Sequence, residues 1–319
     1  MTSRLLDLPS LLKLQSLTLR ARLVAEGALQ GLHRAAHHGS SVEFAEHKEY
    51  APGDELRHID WRAWGRMDKY YVKRFEEEAE VRSYIVVDSS GSMGYGRQDQ
   101  LTKLDFASLI GASLSYLLLR QHDPAGVVIA KDTGPLYIPP RGGSAHLGDL
   151  CRALESTEPA GRTELDDALH LLSETARRRS LIVVLSDLLP PPPLDEAVDY
   201  GDYLRRQSAL LRAKLVSLRA QKHDVIVLQI LDADELELPW TSLTWFEEVE
   251  PGLAGQERLF VDPGDVRKAY LTELGQFLTD TRLGLREGDV DYSLVPTSRS
   301  PESVLLDLLR GPLRQKVRR

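Results

Sequence analysis

Between Ser83 and Val295 short runs of β-branched and aliphatic residues recur, separated by stretches with helical spacing, and this alternation is what most limits the folds open to the chain. The runs are Ser83–Asp88, Gly126–Lys131, Leu136–Pro140, Leu181–Ser186, Asp224–Leu231 and Asp291–Val295. Helical patterns fill Leu101–Arg120, Thr163–Arg179, Leu204–Gln221 and Asp265–Arg282. A strand that is apolar at nearly every position has both faces buried, so helices must cover it on both sides. The fold class expected is therefore α/β, a doubly wound, mostly parallel sheet with helices on both faces. Leu243–Val249 reads as a further pairing segment, and the run Pro190–Pro193 as a stiff connector that can continue neither helix nor central strand.

Two segments flank this pattern. Leu5–Arg34 repeats leucine largely at three- and four-residue intervals, the mark of an amphipathic helix or helix pair whose apolar face is expected to dock on the rest of the chain. Val42–Val81 crowds Tyr50, Trp61, Trp64, Tyr70, Tyr71 and Phe75 among alternating charges and reads as a small β-rich module. The organisation expected is residues 1–82 as an N-terminal helix and β-rich module, 83–298 as the α/β domain, and 299–319 as a C-terminal helix with a basic tail.

Composition removes several classes. Of 319 residues, 28% are charged and the formal net charge is −8, so no basic face for phosphate is expected and no nucleic-acid partner. Leu5–Leu32 is interrupted by Asp7, Lys13, Arg20, Arg22 and Glu26, and no run approaches the ~18 apolar residues of a membrane span. The single cysteine, Cys151, has no internal partner for a disulfide, which with the absent span points to a cytoplasmic protein.

The chemistry gathers at strand ends. Asp88-Ser89-Ser90-Gly91-Ser92 closes the first sheet strand with one carboxylate and two hydroxyls on a tight turn, the hard oxygen donors that Mg²⁺ or Mn²⁺ takes. Gly161-Arg162-Thr163 opens a helix with a further hydroxyl, and Asp187 follows the strand Leu181–Ser186. In doubly wound sheets such strand ends gather the ligand site.

This constellation resembles the von Willebrand factor A (vWA) family, whose metal-ion-dependent adhesion site joins Asp-x-Ser-x-Ser to a later Thr and a later Asp. The resemblance implies a vWA-like fold and places Asp88, Ser90, Ser92, Thr163 and Asp187 around one divalent cation. Two carboxylates leave such an ion short of anionic saturation, so a Glu or Asp of a partner protein can replace a bound water. Upstream, Glu43-Phe44, Glu49-Tyr50-Ala51-Pro52-Gly53-Asp54, Arg57-His58-Ile59-Asp60-Trp61-Arg62, Val72-Lys73 and Phe75-Glu76-Glu77-Glu78 resemble the domain-of-unknown-function 58 family. That resemblance implies a metal-dependent protein-binding adaptor working with a MoxR-type AAA+ ATPase in the assembly or maturation of other complexes.

Enzyme templates fit less well. Ser90 stands where a haloacid-dehalogenase-like phosphotransferase needs a second Asp, and Ser90 also breaks a Gly-x-Ser-x-Gly elbow at Ser92. Gly91, Gly94 and Gly96 lack dinucleotide-binding spacing, and there is no Walker motif. No enzymatic activity is expected, with a divalent-metal-dependent hydrolase as the alternative. His33, His37 and His38 read as a solvated helix end, and helix Ser300–Arg310 as the element able to shift, on family analogy alone.

Overall fold

Residues 14, 16–36, 48–49, 71–72, 81–97, 100–162, 165–176, 179–191, 193, 199–247, 249–250 and 258–313 are described by the computed structural model. The chain divides into two units, Met1–Leu32 with Glu80–Arg318, and His33–Ala79. The second unit carries one antiparallel pair, β1 (Lys48–Glu49) with β2 (Tyr71–Val72), Lys48 standing opposite Val72. Trp61, Trp64 and most of the upstream signature lie outside the described residues.

The larger unit begins with helix α1 (Leu17–Ala36) and continues through β3 (Arg82–Asp88), α2 (Lys103–Arg120), β4 (Ala125–Ala130), β5 (Leu136–Arg141), α3 (Ser144–Glu155), α4 (Leu165–Thr175) and β6 (Ser180–Ser186). Then follow α5 (Tyr200–Ala220), β7 (Asp224–Leu231), α6 (Ala233–Glu237), β8 (Thr244–Glu247), β9 (Arg258–Val261), α7 (Pro263–Glu287), β10 (Asp291–Pro296) and α8 (Pro301–Arg310). Six strands form one sheet in the order β10-β7-β6-β3-β4-β5. All neighbours are parallel except β4 and β5. That exception is dictated locally, because the short link Lys131–Pro135 turns at Gly134-Pro135 and is too brief for the crossover a parallel pair requires. β5 is an edge strand, and Pro139 and Pro140 occupy two of its six positions.

Alternate side chains of each strand point to opposite faces, and two apolar layers result. One joins Ile85, Val87, Val127, Val183 and Ile226 to α1, α2, α3 and α8; the other joins Tyr84, Val86, Val128, Val184 and Val227 to α4, α5 and α7. Fully burying one such side chain contributes about 1.5–3 kcal/mol. Of the leucine-rich first segment, the described helix α1 docks within its own unit through Leu17, Ala21, Val24, Ala25 and Ala28, and Leu5–Lys13 lies outside the described residues. Small residues let it lie close to α8, with Gly27 against Glu302 and Gly31 against Leu306.

Helix starts follow their caps. α2 begins where Thr102 Oγ1 accepts the Asp105 amide at 3.0 Å, and α5 begins four residues before the leucine pattern because Asp199 Oδ1 accepts the Asp202 amide at 2.8 Å. Within the segment 243–249, Thr244–Glu247 forms β8 and pairs antiparallel with β9 outside the main sheet. Among the described residues no helix is long and apolar enough to cross a membrane.

This is a doubly wound, mostly parallel α/β architecture. From β3 the chain moves outward to β4 and β5, then returns to lay β6 along the other side of β3. The connections leaving β3 and β6 run in opposite directions, which opens a crevice at their carboxyl ends, and there stand Asp88 and Asp187.

Candidate metal centre

Asp88 is 3% exposed and Asp187 is wholly buried, so both carboxylates depend on partners in place of water. Asp88 Oδ1 accepts the Ser90 amide at 2.9 Å, an Asx turn that folds the chain back directly after β3. Its Oδ2 accepts the Ser186 hydroxyl at 2.6 Å, and Ser186 Oγ in turn accepts the Leu188 amide at 2.8 Å. Burial, reinforced by the neighbouring Asp187 charge, pushes the Asp88 carboxyl up to about 6 against the pull of these hydrogen bonds.

The turn itself is pinned. Ser89 Oγ donates to Ala130 O at 2.6 Å, and Met93, wholly buried in the 3₁₀ turn Gly91–Gly94, anchors its far side. Ser90 Oγ and Ser92 Oγ lie 3.1 Å apart, and Ser92 Oγ donates to Asp187 Oδ2 at 2.8 Å. Asp187 Oδ1 accepts the Leu189 amide at 3.0 Å, its carbonyl accepts Gln229 Nε2 at 2.7 Å, and Leu188 turns the chain sharply with φ of 58°.

Of the five residues singled out by pattern, Asp88, Ser90, Ser92 and Asp187 therefore converge. Thr163 lies outside the described residues, although the chain two residues before it runs along the turn, Gly161 O accepting the Gly91 amide at 3.1 Å. Three acidic residues and a lysine join the site that pattern reading did not assign. Lys103, in the first turn of α2 and wholly buried, places Nζ 2.8 Å from Asp187 Oδ2 and 2.6 Å from Glu235 Oε1. Burial alone would lower the ammonium's affinity for its proton, and the Asp187 and Glu235 charges reverse that and raise it.

Glu235 belongs to α6, where it closes a capping box by accepting the Asp232 amide at 2.7 Å, and burial raises its carboxyl against the pull of Lys103. Beside it, Asp234 accepts from Tyr95 Oη at 3.3 Å and pairs with Arg97 at 3.2 Å, tying the loop after the serine turn to α6. Glu250, 7% exposed, accepts the Ser92 amide at 3.1 Å, and burial raises its carboxyl as well. Lys103 had a signal in the sequence, as a lone cation opening the apolar helix LDFASLIGASL. Glu235 had one in the Asp232-x-x-Glu235 spacing, and Glu250 had none.

The oxygen geometry suits a small hard cation. Octahedral Mg²⁺ at roughly 2.0–2.1 Å from its ligands sets neighbouring ligand oxygens about 2.9 Å apart, and the Ser90–Ser92–Asp187 oxygens are spaced at 3.1 and 2.8 Å. Of the carboxylates Asp88, Asp187, Glu235 and Glu250, Lys103 contacts Asp187 and Glu235, and the Arg162 charge acts on Glu250. Among the described residues no group of three or more His, Cys, Asp or Glu side chains is arranged to hold a metal, so any ion here would rest on serine hydroxyls as much as on carboxylates.

Comparisons with known proteins give the family of the chain. Uncharacterized proteins of Mycobacterium bovis and Mycobacterium tuberculosis are 27% identical over 253 residues, covering 78% of this chain and 73% of theirs. Similar solved structures include the SpRpn10 VWA domain at 11% identity, with 72% of this chain and 95% of that one covered and a TM-score of 0.38. The PilB minor pilin from Streptococcus sanguinis aligns at 12% identity, 78% and 64% coverage and a TM-score of 0.43. The pilus adhesin SpaC from Lactobacillus rhamnosus GG aligns at 12% identity, 75% and 31% coverage and a TM-score of 0.44. The family model described as protein of unknown function DUF58 matches residues 46–274, well over half of the sequence, and the chain belongs to the DUF58 family.

Proposed function

We propose that this protein is a metal-dependent protein-binding adaptor that holds Mg²⁺ or Mn²⁺ through Asp88, Ser90, Ser92, Thr163 and Asp187 and turns nothing over. The observation that carries this reading is the run of oxygens Ser90–Ser92–Asp187, spaced at 3.1 and 2.8 Å, at the crevice between β3 and β6. Bound there, the ion supplies a Lewis-acid position for a carboxylate of another protein. Asp88 orients the serine turn through the Ser90 amide, Ser186 holds Asp88, and Lys103 holds Asp187. The family and the fold support an interaction role, and the partner proposed is a MoxR-type AAA+ ATPase, with which the protein acts in the cytoplasm on the assembly or maturation of other complexes.

The test is a pull-down from the source cell with the full chain as bait, in Mg²⁺, in chelator, and with Asp88→Ala, whose folding is first confirmed by circular dichroism. Recovery of the ATPase or its client in Mg²⁺, with loss in both other arms, is the expected result. Equal recovery in all three arms refutes metal-mediated capture.

A further inference from the structure

The start of the proline run after β6 and the first half of α5 border a cavity that the metal reading leaves unused. It measures about 60 Å³ and lies at the carboxyl ends of β3 and β6, on the face of the sheet that α4 and α5 cover. Leu165 of α4, Leu188, Pro190 and Leu211 of α5 supply apolar wall. Proline fixes its own φ, so that part of the wall holds its shape without an occupant. Asp88, Ser186, Gln207 and Ser208 supply polar wall, and no Lys, Arg or His lines the cavity among the described residues. Ser90, Ser92, Asp187 and Lys103 do not border it, so of the site residues described above it shares Asp88 and Ser186 and is otherwise a separate space.

Two groups on its wall point to what it holds. Ser208 is 4% exposed, and its Oγ has no hydrogen-bond partner among the described residues. Ser113 and Ser115 in α2, and Thr272 and Thr279 in α7, satisfy their hydroxyls on the carbonyl four residues back. Ser208 makes no such bond, and a buried hydroxyl left open on a cavity wall calls for a partner inside the cavity. Asp88 accepts from two neutral donors, the Ser90 amide and the Ser186 hydroxyl, and among the described residues no cation pairs with it. Asp166, the other carboxylate on the wall, is paired with Lys214. Size bounds the occupant: with ~10–15 Å³ needed for one water, 60 Å³ admits about five heavy atoms.

We propose that this cavity binds a short aliphatic ammonium, its charged head on Asp88 and the Ser208 hydroxyl and its hydrocarbon stem against Leu165, Leu188 and Leu211. A carboxylate or phosphate is the wrong ligand, because no cation on the wall neutralises it. The same chemistry comes from two sources, a free amine or the tip of a lysine side chain presented by another protein.

The experiment is methyl NMR on the full chain without divalent ions, which keeps it separate from the metal reading. The probes are n-butylamine, n-butanol, butanoate and Nα-acetyl-lysine N-methylamide. The expected result is millimolar binding of butylamine, in keeping with so small a ligand, with shifts at the methyls of Leu165, Leu188 and Leu211. Butanol should bind at least about tenfold more weakly, as a hydrogen bond to a charged group implies, and butanoate not at all. Ser208→Ala should weaken butylamine about fivefold, and Asp88→Asn should erase its advantage over butanol. The lysine amide binding at the same methyls supports the site with a protein lysine as its ligand, and butylamine binding without it supports the site with a free amine.

Equal affinities for butylamine and butanol in the wild type overturn the proposal, as does an unchanged affinity in Ser208→Ala. So do shifts at Leu204, on the recess that Ser208 also borders toward α7, in place of those at Leu165 and Leu188. No shift with any probe at roughly 50 mM, far above the millimolar range expected of so small a ligand, means that the cavity holds water only and overturns it as well. Ser208→Ala removes an unsatisfied buried hydroxyl and leaves the rest of α5 intact, so the test stands even where Asp88→Asn does not fold.

Discussion

Lys103→Met is the substitution from which the site's electrostatics can be read most directly. The ammonium is wholly buried and contacts two carboxylates, at 2.8 Å on Asp187 and 2.6 Å on Glu235. Methionine nearly preserves the volume of the stem, and a volume-conserving exchange by itself costs less than about 1.5 kcal/mol. The charge is the larger quantity. Removing one partner of a buried pair leaves the other uncompensated, at about 3–5 kcal/mol. The Asp187 side chain has no exposed surface while that of Glu235 is 20% exposed, so Glu235 can recover hydration and the expected loss sits near the lower end, about 3 kcal/mol. That is a sizeable share of the roughly 5–15 kcal/mol that stabilises a typical domain. With a urea m-value of about 3 kcal/mol/M the unfolding midpoint falls by about 1 M at unchanged m. Adding Asp187→Asn to Lys103→Met removes the stranded charge and returns part of the loss, since replacing both members of a buried pair is far milder than removing one. Mg²⁺ should stabilise Lys103→Met more than wild type, because the ion supplies the missing positive charge. A loss under about 1 kcal/mol, or a double variant no better than the single one, would refute this account of the network.

Two further expectations concern the scaffold. Gly126 in β4 faces β5 so closely that a Cβ would lie 2.6 Å from Ile138 O and 2.7 Å from Pro140 N; because these are backbone atoms, Gly126→Ala should cost about 1–3 kcal/mol, read by urea unfolding, and the same exchange at Gly148, where a Cβ meets nothing within 4 Å, should cost far less. Glu302 in the first turn of α8 is 5% exposed, its Oε2 has no hydrogen-bond partner among the described residues, and burial raises its carboxyl pKa. A raised carboxyl pKa means the native state holds the proton more tightly than the unfolded chain does, so ionised Glu302 costs stability at neutral pH and the cost fades as pH falls below the ordinary carboxylate range. Glu302→Gln should therefore gain about 1 kcal/mol at pH 7, with the gain vanishing near pH 4; a gain that persists there, or none at pH 7, contradicts the assignment.

What could be read from the chain alone divides by sequence distance. β3, β6 and β7 announce themselves because a strand buried on both faces is apolar throughout, and the Asp88–Ser92 turn does so because its donors fall within five residues and its geometry is set by a hydrogen bond spanning two residues. The rest of the site is assembled across long separations. Lys103 meets Asp187 across 84 residues and Glu235 across 132, and Glu250 meets Ser92 across 158. A glutamate in a loop has no local property that distinguishes it from its neighbours until packing buries it. Helix α6 went unmarked for a different reason: five residues are too few for a period to show, although its capping box leaves a spacing of three between Asp232 and Glu235. The β8–β9 pair was visible only as the run 243–249, since β9 is separated from it by ten residues and exposes Leu259 and Phe260.

The prolines of β5 also govern what this protein can become in company. A free sheet margin offers a ladder of amide donors to any extended chain that drifts past it. Within β5, Pro139 and Pro140 carry no amide hydrogen; the nitrogen of Pro140 lies toward Gly126 of β4, and the irregular pairing at this point makes the strand a poor template for a newcomer. Copies of the protein crowded together during synthesis are thereby discouraged from joining sheet to sheet on this side. Assemblies built around it have to recognise side chains and loops, which keeps recognition in the hands of sequence instead of bare backbone.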